Sequence, residues 1–170
     1  MIVDKVEKKV DNNHNIIILS DRKTSKKHAP IPILLVCSYV HHSLIKRKKR
    51  SKFGIVIESA EPREPHHFSM LFGFGASAIN PYMVNEIIEY HHKLGFLNEQ
   101  KLDKSIDNFN RAIAKGILKV MNKIGISTLH SYRGAQIFEA LGLRQKFVNK
   151  YFNNTPSRLS LIHISEPTRR

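Results

Sequence analysis

Asn15-Ile16-Ile17-Ile18-Leu19-Ser20-Asp21 decides the fold. Four aliphatic residues in a row, closed by a polar pair, form the run expected of a strand buried on both faces, as in a parallel sheet. A second such run, Phe53-Gly54-Ile55-Val56-Ile57-Glu58, comes after a stretch of helix length at 33–48. A third and shorter one, Ala76-Ser77-Ala78-Ile79, follows a helix expected over 66–74 and is halted by Asn80-Pro81. Working outward, Ile2, Val3, Val6 and Val10 give residues 2–10 an amphipathic helical spacing. Pro30 and Pro32 bar an ordinary helix before residue 33. Residues 82–94 predict a helix that stops at Gly95, and 105–124 a longer one with Ile106, Phe109, Ile113, Ile117, Val120 and Met121 on one face. Gly125 suits its C-cap. Ile126-Ser-Thr-Leu129 is expected as a fourth strand, 132–141 as a helix closed by Gly142, and 144–152 as one more. The alternation defines an α/β fold, a mainly parallel sheet with flanking helices and right-handed crossovers.

Composition narrows the function classes. A chain of 170 residues that is 41% hydrophobic can bury a real core within one domain. No stretch approaches the ~20 apolar residues of a membrane helix. The charged start, Met1 to Val10, lacks the apolar core of a signal peptide, so an intracellular protein is expected. Cys37 is the single cysteine, which rules out an internal disulfide and a thiolate-held cluster. The net charge of +14 is a first hint of nucleic-acid binding. Its densest block, Lys46-Arg-Lys-Lys-Arg50 with Lys52, holds no aromatic side chain to stack a base. The block is expected to be a solvated helix end and loop, with nucleic acid an unfavoured partner.

Several constellations invite a chemical reading. Gly73-Phe-Gly75-Ala-Ser-Ala78 has the spacing of a dinucleotide fingerprint, but a helix precedes it and a strand follows, the reverse of the order that brings a helix N-terminus to a pyrophosphate. It is expected to be a tight helix-to-strand turn. The pairs His41-His42, His66-His67 and His91-His92 lack the i, i+4 spacing of a helical zinc clamp. Cys37 lies one helical turn before His41, as in a nucleophile pair, yet its neighbours Leu34, Leu35, Val36 and Val40 mark a core thiol. Charged residues gather at the expected C-terminal strand ends: Asp21-Arg22, Glu58 to Glu64, Asn80, and Ser131-Tyr132-Arg133. That edge is the usual functional edge of a parallel sheet. Salt bridges and caps that fasten loops would give the same pattern, and the residues alone leave the two readings even.

Longer segments carry a resemblance. Leu19-Ser-Asp-Arg22, His28-Ala-Pro-Ile-Pro32, Val40-His-His42, Glu58-Ser-Ala-Glu-Pro-Arg-Glu64 with His66-His-Phe68, and Gly73-Phe-Gly-Ala-Ser-Ala-Ile-Asn-Pro-Tyr82 resemble the central domain of the glutamate synthase large subunit. So do Lys115-Gly-Ile-Leu-Lys-Val-Met121, Gly125-Ile-Ser-Thr128, Ser131-Tyr-Arg-Gly-Ala-Gln-Ile-Phe-Glu139 and Thr155-Pro-Ser-Arg158. The resemblance runs over about residues 11–158, with an alanine at Ala60 where the family typically has glycine. It implies a partial βα-barrel-like domain over 1–158 that lacks a flavin phosphate site. Such a domain joins a glutaminase domain to an FMN domain of the same parent chain and helps line an ammonia tunnel. The parent family makes two glutamates from glutamine, 2-oxoglutarate and reductant, in the cytoplasm or, for plant-type enzymes, the plastid. FMN and an iron–sulfur cluster belong to that parent; this part is expected to hold neither, nor any catalytic or metal-binding residue, and to be inactive alone. Asp21, Arg22, Glu61, Arg63, Glu64, His66, His67, Asn80, Arg133 and Gln136 are the candidate structural, tunnel or interface residues. Residues 159–170 depart from the glycine-rich continuation of the family, look like translated adapter sequence, and are expected to be a disordered tail. The runner-up reading is a free-standing basic α/β module for RNA or an acidic partner.

Overall fold

The computed structural model describes residues 2–97 and 101–158, so the expectation for 159–170 lies outside the described residues. The elements run α1 (Ile2–Asp11), β1 (Ile16–Ser20), α2 (Ile33–Lys46), a 3₁₀ turn (Arg50–Lys52), β2 (Gly54–Glu58), α3 (Pro65–Gly73), β3 (Ala78–Asn80) and α4 (Tyr82–Lys93). After them come α5 (Leu102–Lys123), α6 (Leu129–Tyr132), β4 (Ala140–Leu141), α7 (Gln145–Tyr151) and β5 (Ser157–Arg158). The main sheet has the order β1-β2-β3, all parallel, with Ile16 opposite Gly54 and Val56 opposite Ala78. β4 and β5 form a separate parallel pair.

The expected α/β class stands, and its physical origin is visible in the core. Ile17, Leu19, Ile55 and Ile57 point to one face, where Val3, Val6 and Val10 of α1 and Ile33, Cys37, Val40 and Leu44 of α2 meet them. Each such side chain, once buried, contributes roughly 1.5–3 kcal/mol. α1 also matches its own dipole, with Asp4 in its first turn and Lys8 and Lys9 in its last. Pro65 opens α3 at a position where a missing N–H costs nothing.

The opposite face corrects the sequence reading. β1 alternates rather than being buried on both sides: Ile16 is 64% exposed and Ile18 61%. α1, α2 and α3 all contribute to the core on the other side, so among the described residues this face of β1, with half-buried Val56 and exposed Ala78 beside it, has no layer over it. A one-sided parallel sheet is unusual, because crossover helices normally cover both faces. The arrangement matches a segment of βα-barrel wall, with its helices on the outside.

Two expected elements are absent. The predicted fourth strand at 126–129 does not form: Gly125, at φ +72°, ends α5, and Thr128 accepts a hydrogen bond from the Ser131 N–H (3.3 Å) to cap the short α6 instead. The predicted helix over 132–141 also fails. Gly134 (φ +77°) and Gln136 (φ +54°) adopt left-handed backbone that no helix accommodates, and the Gly134 N–H donates to Gly73 O at 2.9 Å. The segment becomes an irregular strap across α3 that ends in β4. The predicted helix at 144–152 is present as α7, tied to α2 by the Ser38 hydroxyl donating to Tyr151 O (2.7 Å).

Candidate functional site

The C-terminal edge of the sheet gathers part of the expected set. Asp21 follows β1 directly. Its carboxylate accepts hydrogen bonds from the Ser59 hydroxyl (2.6 Å), the Tyr82 hydroxyl (2.7 Å) and the Ala60 N–H (3.1 Å). Burial pushes the Asp21 carboxyl up, but these donors outweigh it and hold it below the ordinary range. The same bond pushes the Tyr82 hydroxyl up to about 12. Arg22 lies across the edge: Nε meets Glu58 at 2.8 Å, Nη1 meets Glu86 at 3.4 Å, and the guanidinium sits 4.0 Å over the Tyr82 ring. Ser20 donates to the second oxygen of Glu58 at 2.6 Å. Asn80 closes the edge through its backbone oxygen, which accepts from the Ser59 N–H at 3.1 Å.

The remaining candidates are dispersed. Glu61 accepts the Ile33 N–H on both oxygens at 3.1 Å and so caps α2 from outside that helix. Glu64 pairs with His67 at 3.3 Å, and the Arg63 N–H donates to the same imidazole at 3.2 Å, a local brace at the start of α3. His66 stands edge-on to Phe138, 6.0 Å between centroids. Arg133 lies at the opposite, N-terminal edge, where it donates to Ser77 Oγ (3.2 Å) and to His130 Nδ1 (3.1 Å). It leaves the set because the strand expected to carry it to the C-terminal edge does not exist. Gln136 is exposed on the irregular strap.

The basic block is the helix end and loop expected, and it departs from the expectation at Arg50. Three of its six cations have protein partners, of which Arg47 and Lys49 stay in contact with solvent. Arg47 pairs with Asp4 (3.2 Å) and Glu7, and Lys49 with Glu7 (2.9 Å) and Asp11 (2.7 Å), so the block clasps α1 to α2. Arg50 turns inward. Its Nε donates to His41 Nδ1 at 2.9 Å, Nη1 to Phe53 O at 2.6 Å and Nη2 to Gly75 O at 2.7 Å. Burial, then Arg50, His42 and Arg133, drives the His41 imidazole down to about 3, so it is the neutral acceptor in this cluster. Gly75, at φ +106°, completes it: the place a Cβ would take is filled by the His41 ring. The expected tight turn at Gly73–Ala78 is thus present and filled by protein. Cys37 is fully buried, with its thiol pushed up to about 12 by burial, so it is a core thiol and not an activated nucleophile.

Neither cofactor of the expected parent fits these residues. A cluster needs several thiolates, and one buried cysteine cannot supply them. Among the described residues no group of three potential ligands could hold a metal ion. At the strand edge where a flavin phosphate would sit, Arg22 is already bound by Glu58 and Glu86, beside the Asp21 carboxylate.

A parallel sheet with helices on one face, and a polar edge bonded to itself, defines an α/β domain. The chain matches the family described as glutamate synthase central domain over residues 1–144, and it belongs to that family. It is 41% identical over 160 residues to the glutamate synthase [NADPH] large chain of Bacillus subtilis, covering 94% of this chain and 10% of that one. It is 43% identical to the glutamate synthase [NADH] of Schizosaccharomyces pombe (93% and 8%) and 38% identical to the ferredoxin-dependent glutamate synthase of Antithamnion sp. (97% and 12%). The chain thus spans about a tenth of the length of these curated relatives.

Sequence reasoning missed Ser59, Tyr82 and Glu86, which complete the Asp21–Arg22 network, and the inward role of Arg50. Ser59 and Tyr82 stood inside segments singled out for other residues. Arg50 gave no signal, because nothing in a run of five basic residues marks the one that turns inward.

Proposed function

We propose that the chain is part of the central domain of a glutamate synthase, a scaffold that joins the glutaminase and FMN domains of one polypeptide and helps wall the path of ammonia between them. The parent would convert glutamine, 2-oxoglutarate and reductant to two glutamates, with FMN and an iron–sulfur cluster held by other parts of it, in the cytoplasm or a plastid. The carrying observation is the family match over residues 1–144 by a chain that spans a tenth of its relatives. The geometry supports it: Asp21, Arg22, Glu58 and Tyr82 satisfy one another, as wall residues do, rather than converging on an open space. Among the described residues no helix is long and apolar enough to cross a membrane.

Two measurements test this. The purified chain should show no flavin absorbance after gel filtration and no glutamate or glutaminase activity. Residues 11–158, exchanged for the matching segment of the Bacillus subtilis enzyme, should retain glutamate formation. A retained flavin band in the isolated chain, or a chimera that folds and binds FMN yet forms no glutamate, contradicts the proposal.

A further inference from the structure

An apolar groove lies on the helix-covered side of the sheet and reaches Ser20 and Asp21 at one end. Two adjoining hollows of about 330 Å³ and about 360 Å³ share Ile2, Ile31 and Val36, and together run from the end of β1 to α7. The floor is aliphatic, with Ile31 50% exposed and Ile2 37%. The rim is basic. Lys23 lines one end and Lys150 the other, and Lys26 and Lys27 stand exposed on the same loop as Lys23. Among the described residues no carboxylate lies within ion-pair distance of these four lysines, whereas Arg22, Arg47 and Lys49 all have partners. The one carboxylate in the lining, Asp21, is already saturated by Ser59, Ala60 and Tyr82. The groove is held firm at both ends. The Ser25–His28 bridge closes the loop, with the His28 N–H donating to Ser25 O at 3.0 Å, and Tyr151 packs edge-on against Tyr39 with 5.2 Å between centroids.

We propose that this groove is the docking site of an acidic segment with apolar anchors, supplied by the longer polypeptide of which the chain is a part. The assignment rests on the reading of the chain as one part of a larger enzyme. Aliphatic floor and unpaired lysine rim ask for the same thing, a peptide that offers leucine-like side chains with Glu or Asp between them. A second copy of the chain is the poorer occupant, because each copy carries a net charge of +14 and would bring lysine against lysine.

The test uses the full chain and a fluorescein-labelled peptide of alternating Glu and Leu, read by fluorescence anisotropy. Binding should weaken as salt rises from ~0.01 M to ~0.15 M, where the screening length falls from about 30 Å to about 8 Å. The double change Lys23→Glu with Lys150→Glu should weaken it about tenfold or more, and Ile31→Ser, which removes an exposed side chain and no charge, by about tenfold. A peptide with Lys in place of Glu should not bind. Since Ile31, Lys23 and Lys150 are surface residues, an unchanged melting temperature in each variant separates lost docking from lost folding. No binding overturns the proposal. So does binding that needs the lysines but ignores Ile31, which would be bare charge attraction. Concentration-dependent dimers abolished by Ile31→Ser would also overturn it, assigning the groove to self-association. A functional chimera alongside a silent groove would sink the groove and leave the domain assignment standing.

Discussion

His41 shows how one residue sets the acid limit of the fold. Its imidazole is held neutral by burial and by the cations around it, and it takes a proton in the folded chain only near pH 3, against 6.5 ordinarily. The unfolded chain therefore binds the extra proton between those values. The contribution of His41 to stability is complete above about pH 6.5 and is lost as pH falls toward 3, by up to about 1.4 kcal/mol per pH unit. His42 is also held low, by burial and Lys46, and adds to the same trend. Urea midpoints at pH 7 and pH 5 should differ clearly. In His41→Asn, whose side-chain oxygen can still accept from Arg50, that difference should shrink without vanishing; an unchanged difference would mean that the imidazole is not the titrating group. None of this was legible in the sequence. His41 stood as half of a pair that failed the metal spacing, and its partner Arg50 comes from a block that composition marks as solvent-facing.

At the scale of elements, α1 to α5, α7 and the three-stranded sheet were legible, and residues 126–141 were not. α1, α2, α4, α5 and the three strands carry repeating apolar side chains over one or more full turns or pleats, so their pattern identifies them. Residues 126–141 carry only brief apolar runs, and backbone conformation decides there: a Thr128 cap and left-handed Gly134 and Gln136 override the pattern. The turn at Gly75 offers a sharp check on that kind of control. Gly75→Ala places a methyl group into the His41 ring at φ +106°, and should cost about 3 kcal/mol or more. Gly125→Ala faces open space at φ +72°, and should cost only the left-handed penalty of about 1–2 kcal/mol. Chemical denaturation of the two variants compares them directly. Equal losses would show that backbone angle alone governs both sites.

For the whole molecule, the bare sheet face is the dominant feature. Ile16→Thr with Ile18→Thr should lower the fluorescence of a hydrophobic-surface dye while shifting stability by roughly 0.5 kcal/mol or less, since both side chains are already in water. A large loss of stability would place a covering layer over that face. The sheet also dictates how the chain finds its fold. Paired positions on β1 and β2 are 38 residues apart, and those on β2 and β3 are 22 apart, so neither ladder can start from a hairpin. The two loop-closure penalties differ by less than about 0.6 kcal/mol, too little to impose an order of assembly. Order must come from the crossover helices, and α2, which touches β1, β2, α1 and α7, is the element predicted to anchor the rate-limiting step. Cavities cut at Val40 or Leu44 would then slow refolding, whereas weakening β3 would chiefly hasten unfolding.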